Sequence, residues 1–387
     1  MAAALAAARA GWDVQLFERA PVFSEAGAGV QLGPNVVKVL HRWGLEKALA
    51  EVAAFPEQLQ VRSALSGGLL GTLRLGAVIA ARYGAPYATV HRADLHGVLL
   101  HAVQQTAVRL QPDCPLLAYR QNQHAVSVKF SKGPEVEGAA LIGADGLWST
   151  VRQQLLGDGP PRRSGHLAYR ALIAQALLPA ALRSQQVTVW LGPRMHVVQY
   201  PVRGGEWLNL VAIVHSGVHG GVGGELDNWD HSANAAELSA ATAGSCGPLV
   251  ALLSAIPAWR LWQVCDRLPM QGAYQHAQGR VALLGDAAHP MRPYLAQGAG
   301  MAIEDAAELG RVLALAQPSA FELPALLQQY ALNRWQRNAR VQAKALRNGQ
   351  LFHADGWLRR GRDVAMKLLG DKLLDMPWLY GARRKAF

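Results

Sequence analysis

One run of this chain limits its fold more than any other: Arg280-Val-Ala-Leu-Leu-Gly-Asp-Ala-Ala-His-Pro-Met-Arg-Pro-Tyr-Leu-Ala-Gln-Gly-Ala-Gly-Met-Ala-Ile-Glu-Asp305. Val281 to Leu284 is a short apolar run of the kind that fills a strand buried on both faces. Gly285 and Asp286 end it and aim a carboxylate past the strand tip, where it can accept hydrogen bonds from a polyol. Gln297-Gly-Ala-Gly300 then lets backbone come close to a ligand. Met301, Ala302, Ala306, Leu309 and Leu313 follow at the spacing of a helix's inner face. The start of that helix offers unpaired N–H groups and a positive dipole end, which suit an electron-rich or anionic group.

The N-terminus reads as part of a dinucleotide-binding unit. Met1 to Ala10 is an alanine-rich helix, Gly11 stops it, and Val14-Gln-Leu-Phe-Glu-Arg19 is the next strand, with an acid at its end. A Rossmann unit places a strand and G-x-G-x-x-G before such a helix; here that first strand and glycine loop are missing. The expectation is a mis-called start, with Met1 internal to a longer protein. A truncated gene product is the alternative. A signal peptide fits poorly, because Arg9 falls where the apolar run belongs.

Further motifs stand in register with these. Gly143-Ala-Asp-Gly-Leu-Trp-Ser-Thr-Val-Arg152 and Tyr83-Gly-Ala-Pro-Tyr-Ala-Thr-Val-His-Arg-Ala-Asp-Leu95 precede the 280–305 run. Together the segments resemble the FAD-dependent aromatic-ring hydroxylases, the family of salicylate, 3-hydroxybenzoate and 6-hydroxynicotinate monooxygenases, from residue 1 to about 345. The resemblance implies an FAD site formed by Glu18, Arg19, Gln31, Arg92, Gln121, Asp145, Asp286, Gly298 and Ala299. It implies NADH or NADPH as co-substrate, and transfer of one oxygen atom of dioxygen to an electron-rich ring.

The implied fold is α/β: a Rossmann-like FAD-binding domain at 1–164 and 271–345, an inserted antiparallel β-sheet substrate domain at 165–270, and a C-terminal helical segment at 346–387. The sequence agrees. Val187–Leu191, Met195–Tyr200 and Trp207–Val214 are β-rich and separated by Gly-Pro and Arg-Gly-Gly turns. An alanine- and leucine-rich helix is expected near 93–107 and a long basic helix over 323–350. Gly217 to Gly224 reads as a flexible loop.

His196 and Tyr200, four apart on one strand, project from the same face about 13 Å apart. A core histidine and a surface tyrosine is the plain reading of such a pair. The resemblance instead makes them catalytic, binding and deprotonating a ring hydroxyl, work that suits an imidazole. Leu191, Val198 and Leu210 are expected to line the same site, and Pro293 and Tyr294 to touch substrate. His289 is read as structural support for its turn. Two departures limit the substrate: Gln31 stands where the hydroxynicotinate enzymes carry histidine, and Pro293 where the 3-hydroxybenzoate 6-hydroxylases carry glutamine. The expected substrate is therefore a small phenolic or N-heteroaromatic acid.

Composition narrows the alternatives. No apolar stretch reaches the ~20 residues that span a bilayer. Cys114, Cys246 and Cys265 are scattered, without metal spacing, as in a reducing cytoplasm. No metal site is expected, and no stable membrane association. The net charge of +11 owes much to residues such as Arg334, Arg337, Arg340, Lys344, Arg359 and Arg362, read as a solvated helical face and not a nucleic-acid groove. A homodimer is left open. Other readings are a flavoprotein of another reaction type and an FAD-poor, non-catalytic remnant. A halogenase is disfavoured, because Trp259-Arg-Leu-Trp262 lacks the W-x-W-x-I-P continuation.

Overall fold

The strand expected at 281–284 is Val281–Leu283, fully buried, parallel to Leu141–Gly143 on one side and antiparallel to Ala277–Gln278 on the other. It sits beneath the helix Gly298–Leu313, whose inner face buries Met301, Ala306, Leu309 and Leu313. The structure, a computed structural model, describes residues 1–23, 27–215, 231–232, 235–315 and 322–381. The glycine-rich loop expected at 217–224 lies outside the described residues.

The alanine-rich start forms the helix Ala2–Arg9, which packs on Gly298–Leu313. Small side chains allow that approach: a Cβ on Gly310 would fall 2.9 Å from Ala6 Cβ and 3.1 Å from Ala6 O. Gly11, at φ +87°, turns the chain out of the helix, and Gln15–Phe17 follows, parallel to Arg109–Gln111. The helix expected near 93–107 is Arg92–Gln104.

The larger sheet has eight strands among the described residues. In order they are His231–Ser232, Arg260–Asp266, Arg162–Ala174, Trp207–His215, Met195–Val202, Val187–Gly192, Gln58–Ser63 and Leu69–Arg74. All neighbours are antiparallel except Val187–Gly192 with Gln58–Ser63. The sheet thus reaches beyond the 165–270 block read from sequence. It starts at Arg162 and borrows two strands from 58–74, a long-range pairing that local pattern does not reveal. One face packs Met195, Val197, Leu208, Leu210, Ala212 and Val214 against the helices Ala235–Ala241 and Gly247–Ser254. The other face carries His196 and Tyr200 and looks toward the rest of the molecule.

The long basic helix is Leu323–Phe352, and here the solvated-face reading is corrected. Arg334 is 4% exposed and lies in a buried ion network. It donates to Asp305 Oδ1 from Nε at 2.7 Å and to Glu304 Oε2 from Nη1 at 2.9 Å. Arg337 donates to both Glu304 oxygens, at 2.6 and 2.8 Å. Arg362, also buried, donates to Asp363 and to the carbonyls of Leu351 and Phe352. Burial alone would raise the carboxyls of Glu304 and Asp305. For Glu304, Arg334, Arg337 and Asn35 outweigh it and hold the group below its usual range. For Asp305, His289 and Arg334 do so, and the group lies well below.

Arg334→Leu strands both carboxylates without their shared cation, and the expected loss of stability is about 3–5 kcal/mol. Urea unfolding would show it as a lower midpoint at unchanged m value; a midpoint equal to the parent's refutes the network's importance.

Candidate active site

Gly285, at φ +61°, turns the chain sharply after the buried strand. Asp286 therefore stands exposed between the buried Gly285 and Ala287. Its carboxylate has no hydrogen-bond partner among the described residues. Opposite lies the start of Gly298–Leu313, which has no side-chain cap, so the N–H groups of Gly298 and Ala299 precede the first helical bond, from Met301 N to Gln297 O. A Cβ on Gly298 would come 3.9 Å from Asp286 Oδ1. An unpaired acceptor facing unpaired donors across a glycine turn fits the ribityl hydroxyls and the electron-rich carbonyl edge of FAD.

The other expected cofactor residues are placed as follows. Glu18 ends the Gln15–Phe17 strand and accepts from Ala20 N at 2.9 Å; Arg19 beside it is exposed. Gln31 accepts from the Tyr87 hydroxyl at 2.7 Å. Arg92, exposed, opens its helix. Gln121 accepts from Arg280 N at 2.8 Å, which leaves its amide nitrogen for a ligand. Asp145 accepts from Ser149 Oγ at 2.5 Å and Val151 N at 3.1 Å, and so caps the helix Thr150–Leu156. Arg152, in that helix, donates to the carbonyls of Ala287 and Ala288 and locks this motif to the Asp286 turn.

On the sheet, His196 and Tyr200 do share a face, 1% and 3% exposed. Register places Leu191 and Ile213 beside His196, and Asn209 beside Tyr200. Val198 lies between them. Leu210 does not belong here: it pairs with Gln199 and packs on the opposite face, because strand side chains alternate. Tyr294, carried on the segment between Asp286 and Gly298, enters this face with its ring 5.1 Å from His196 and its hydroxyl hydrogen-bonded to His166 Nδ1. Pro293 next to it is exposed.

Sequence reading missed the company His196 keeps. His353, delivered by the end of Leu323–Phe352, brings Nε2 to 2.7 Å from His196 Nδ1. His166 and His215 close the group, with rings 4.9 and 5.0 Å from that of His353. The members come from separate strands and a distant helix end, so no spacing announces them. His166, His215 and His353 have nitrogens within 4.8 Å of one another, as metal ligands do. Arg292 acts on all of them and Arg194 on His215, and both cations oppose a metal ion there. Burial keeps the group neutral. His196 falls to about 3, with the His166 ring adding to burial, and His166 falls to about 4, with His215 and Arg292 adding. His289 is placed as read, fully buried, donating from Nε2 to Asp305 at 2.5 Å.

Comparison with known proteins places this geometry. A family model described as an FAD binding domain matches residues 1–345. The chain belongs to this family. It is 36% identical over 388 residues to a 3-hydroxybenzoate 6-hydroxylase of Polaromonas naphthalenivorans, covering 98% of this chain and 93% of that protein. It is 35% identical over 357 residues to a 6-hydroxynicotinate 3-monooxygenase of Bordetella bronchiseptica, covering 91% and 87%. A solved salicylate hydroxylase substrate complex superposes with a TM-score of 0.82 at 26% identity, over 99% of this chain and 92% of that one. The chain is therefore an FAD-dependent oxidoreductase of the aromatic-hydroxylase type.

Neutral burial of these histidines gives a pH dependence. His166 sits at about 4 and His196 at about 3 in the folded protein, and the fully buried His276, beside His289 and Asn338, also at about 4, against an ordinary value of 6.5. The unfolded chain binds more protons below 6.5, so the stability they confer is present above that pH and lost as pH falls toward 4 and 3. Tm at pH 5 is expected about 5–10 °C below that at pH 7.5. His196→Gln should cut proton uptake on unfolding at pH 5 by about one. A flat Tm across this range, or unchanged uptake in the variant, counts against it.

Proposed function

We propose that the protein hydroxylates a small phenolic or N-heteroaromatic acid, using NAD(P)H and dioxygen. The supporting observation is that one segment serves both halves of the site. Asp286 and Gly298 bracket it on the cofactor side, and Tyr294 between them packs on His196. A ring held against His196 and Tyr294 therefore lies next to the place where the ribityl chain and flavin are held. Relatives named for hydroxybenzoate and hydroxynicotinate point to the same substrate class.

FAD, held by Asp286 and the start of Gly298–Leu313, would supply the redox chemistry, taking hydride from NAD(P)H so that one oxygen atom of dioxygen reaches the ring and the other leaves as water. The chain's own groups prepare that ring. With Nδ1 engaged by His353, His196 has Nε2 for the ring hydroxyl. Taking its proton makes the ring electron-rich at the positions that accept oxygen. Burial holds the free imidazole near 3, and the negative charge of a bound aromatic acid works in the opposite direction. Tyr200, a buried residue on the same face, offers its hydroxyl as a second group for the substrate. Leu191, Val198, Ile213 and Phe352 keep water from the ring. The proposal includes a cytoplasmic setting and a homodimer, the latter to be read by light scattering.

The substrate is to be found by screening hydroxybenzoates and hydroxypyridine carboxylates for stimulated NAD(P)H oxidation with a hydroxylated product. His196→Ala and Tyr200→Phe should keep their flavin, divert NAD(P)H oxidation to hydrogen peroxide, and lower product at least about tenfold. Product within twofold of the parent for both returns them to packing roles. Asp286→Ala should weaken FAD binding by about 1–3 kcal/mol, and an unchanged dissociation constant shows that the carboxylate does not meet the cofactor. Failure of every acid in the screen, with FAD bound, favours the non-catalytic reading.

A further inference from the structure

The face that carries His196 and Tyr200 also holds two donors with nothing to donate to. Arg170 lies on the strand Arg162–Ala174, opposite Val211, which in turn pairs with Val198. Arg170 therefore shares a cross-strand row with Val198, midway between the rows of His196 and Tyr200. Its guanidinium stacks over the Trp262 ring at 3.2 Å to the centroid. Its Nε is buried without a hydrogen-bond partner, and no carboxylate pairs with it among the described residues. Asn209, 0% exposed, lies opposite Tyr200 on one side and Leu172 on the other. It is thus a diagonal cross-strand neighbour of Arg170, about 7–8 Å away at the backbone.

The orientation of the Asn209 amide is fixed by its surroundings. Oδ1 accepts from Gly29 N at 2.6 Å, which leaves Nδ2 as the donor, and Nδ2 is buried and unpaired. Tyr200 stands beside it. A Cβ placed on Gly29 would lie 2.8 Å from Asn209 Cγ and 2.9 Å from the Tyr200 hydroxyl oxygen. Three donor groups, one of them a cation, thus occupy the Tyr200 row and the row beside it on this face. The His196 row lies on the other side of Arg170. Val211, Ile213, Trp262, Tyr294 and Phe352 cluster on the same face, an apolar bed for a ring.

A cation without a counter-ion and a buried amide without an acceptor are each unfavourable, and one anion satisfies both. We propose that Arg170 and Asn209, with the Tyr200 hydroxyl beside them, form the binding site for the carboxylate of an aromatic acid, and so select acids over neutral phenols. The inference rests on the substrate class proposed above, and assigns an anchor to it. Burial, with Arg92 nearby, draws the Arg170 guanidinium down to about 9, while the Tyr200 phenol acts the other way; a bound carboxylate relieves that strain on the charge. Tyr200 then belongs to the carboxylate end of the substrate and His196 to its hydroxyl end.

Isothermal titration calorimetry with 3-hydroxybenzoate and with 3-hydroxybenzamide tests the site without requiring turnover. The two probes share ring and hydroxyl and differ in charge. The parent should bind the acid at least about tenfold more tightly than the amide. Arg170→Gln should remove that preference by weakening the acid alone, and Arg170→Lys should restore part of it. Asn209→Asp is the independent variant: it keeps the acceptor for Gly29 N and supplies Arg170 with an internal counter-ion. It should raise Tm while abolishing the preference for the acid. Equal binding of acid and amide by the parent overturns the proposal. So does an Arg170→Gln protein that keeps the preference while losing FAD, which would give the cation to the cofactor's phosphates. Acid-selective binding with no hydroxylation of any acid would leave this site standing and remove the proposed activity. Hydroxylation of acid and amide alike would do the reverse.

Discussion

The Asp305 carboxylate is the group on which the geometry of the Asp286 turn depends. It accepts from Gly285 N at 3.2 Å, His289 Nε2 at 2.5 Å, Arg334 Nε at 2.7 Å and Asn338 Nδ2 at 3.0 Å. Those partners belong to the turn after the buried strand and to the long C-terminal helix. A fully buried carboxylate demands such company, because an unpaired charge in the interior is prohibitively unfavourable. Its demands in turn fix Gly285, and with it the direction in which Asp286 leaves the strand. His276 extends the arrangement, donating from Nδ1 to Leu283 O at 3.0 Å and accepting from Asn338 at 2.9 Å. The exposed Asp286 is thus aimed by a hidden acid.

The His196 face is organised differently, by a sheet whose two faces have separate surroundings. One is a continuous apolar layer beneath two helices. The other mixes apolar residues with neutral histidines, a tyrosine, an asparagine and an arginine, and it is covered by the end of the long helix and by the Asp286–Gly298 segment. Tyr294 ties that segment to the sheet through His166 and His196. Movement of the segment would therefore be felt both at the Asp286 turn and on the His196 face.

What could be read from the chain, and what could not, follows from the range of the interactions. The buried strand, the Asp286 turn and the uncapped helix start are contiguous, so local pattern sufficed. The shared face of His196 and Tyr200 follows from the two-residue repeat of a strand. Leu210 was misplaced because its face depends on register with its neighbours, which a single strand does not contain. Asn209 and Arg170 were missed for the same reason: only pairing across the Trp207–His215 strand brings them to Tyr200. His353 and Arg334 look like members of a basic, solvent-facing helix until the long helix is docked, and their roles arise from residues 157 and 29 positions away.

The strands at 58–74 bear on how such a protein can change. Val187–Gly192 is covered by Gln58–Ser63, and that hairpin ends at Arg74, 88 positions before the rest of the sheet resumes at Arg162. Recombination that exchanged only the contiguous 162–266 block would leave a bare apolar edge on the incoming sheet and an orphaned hairpin on the recipient. New substrate faces are thus more readily reached by point changes within this sheet than by swapping it whole, and a functional chimaera would have to inherit both segments together.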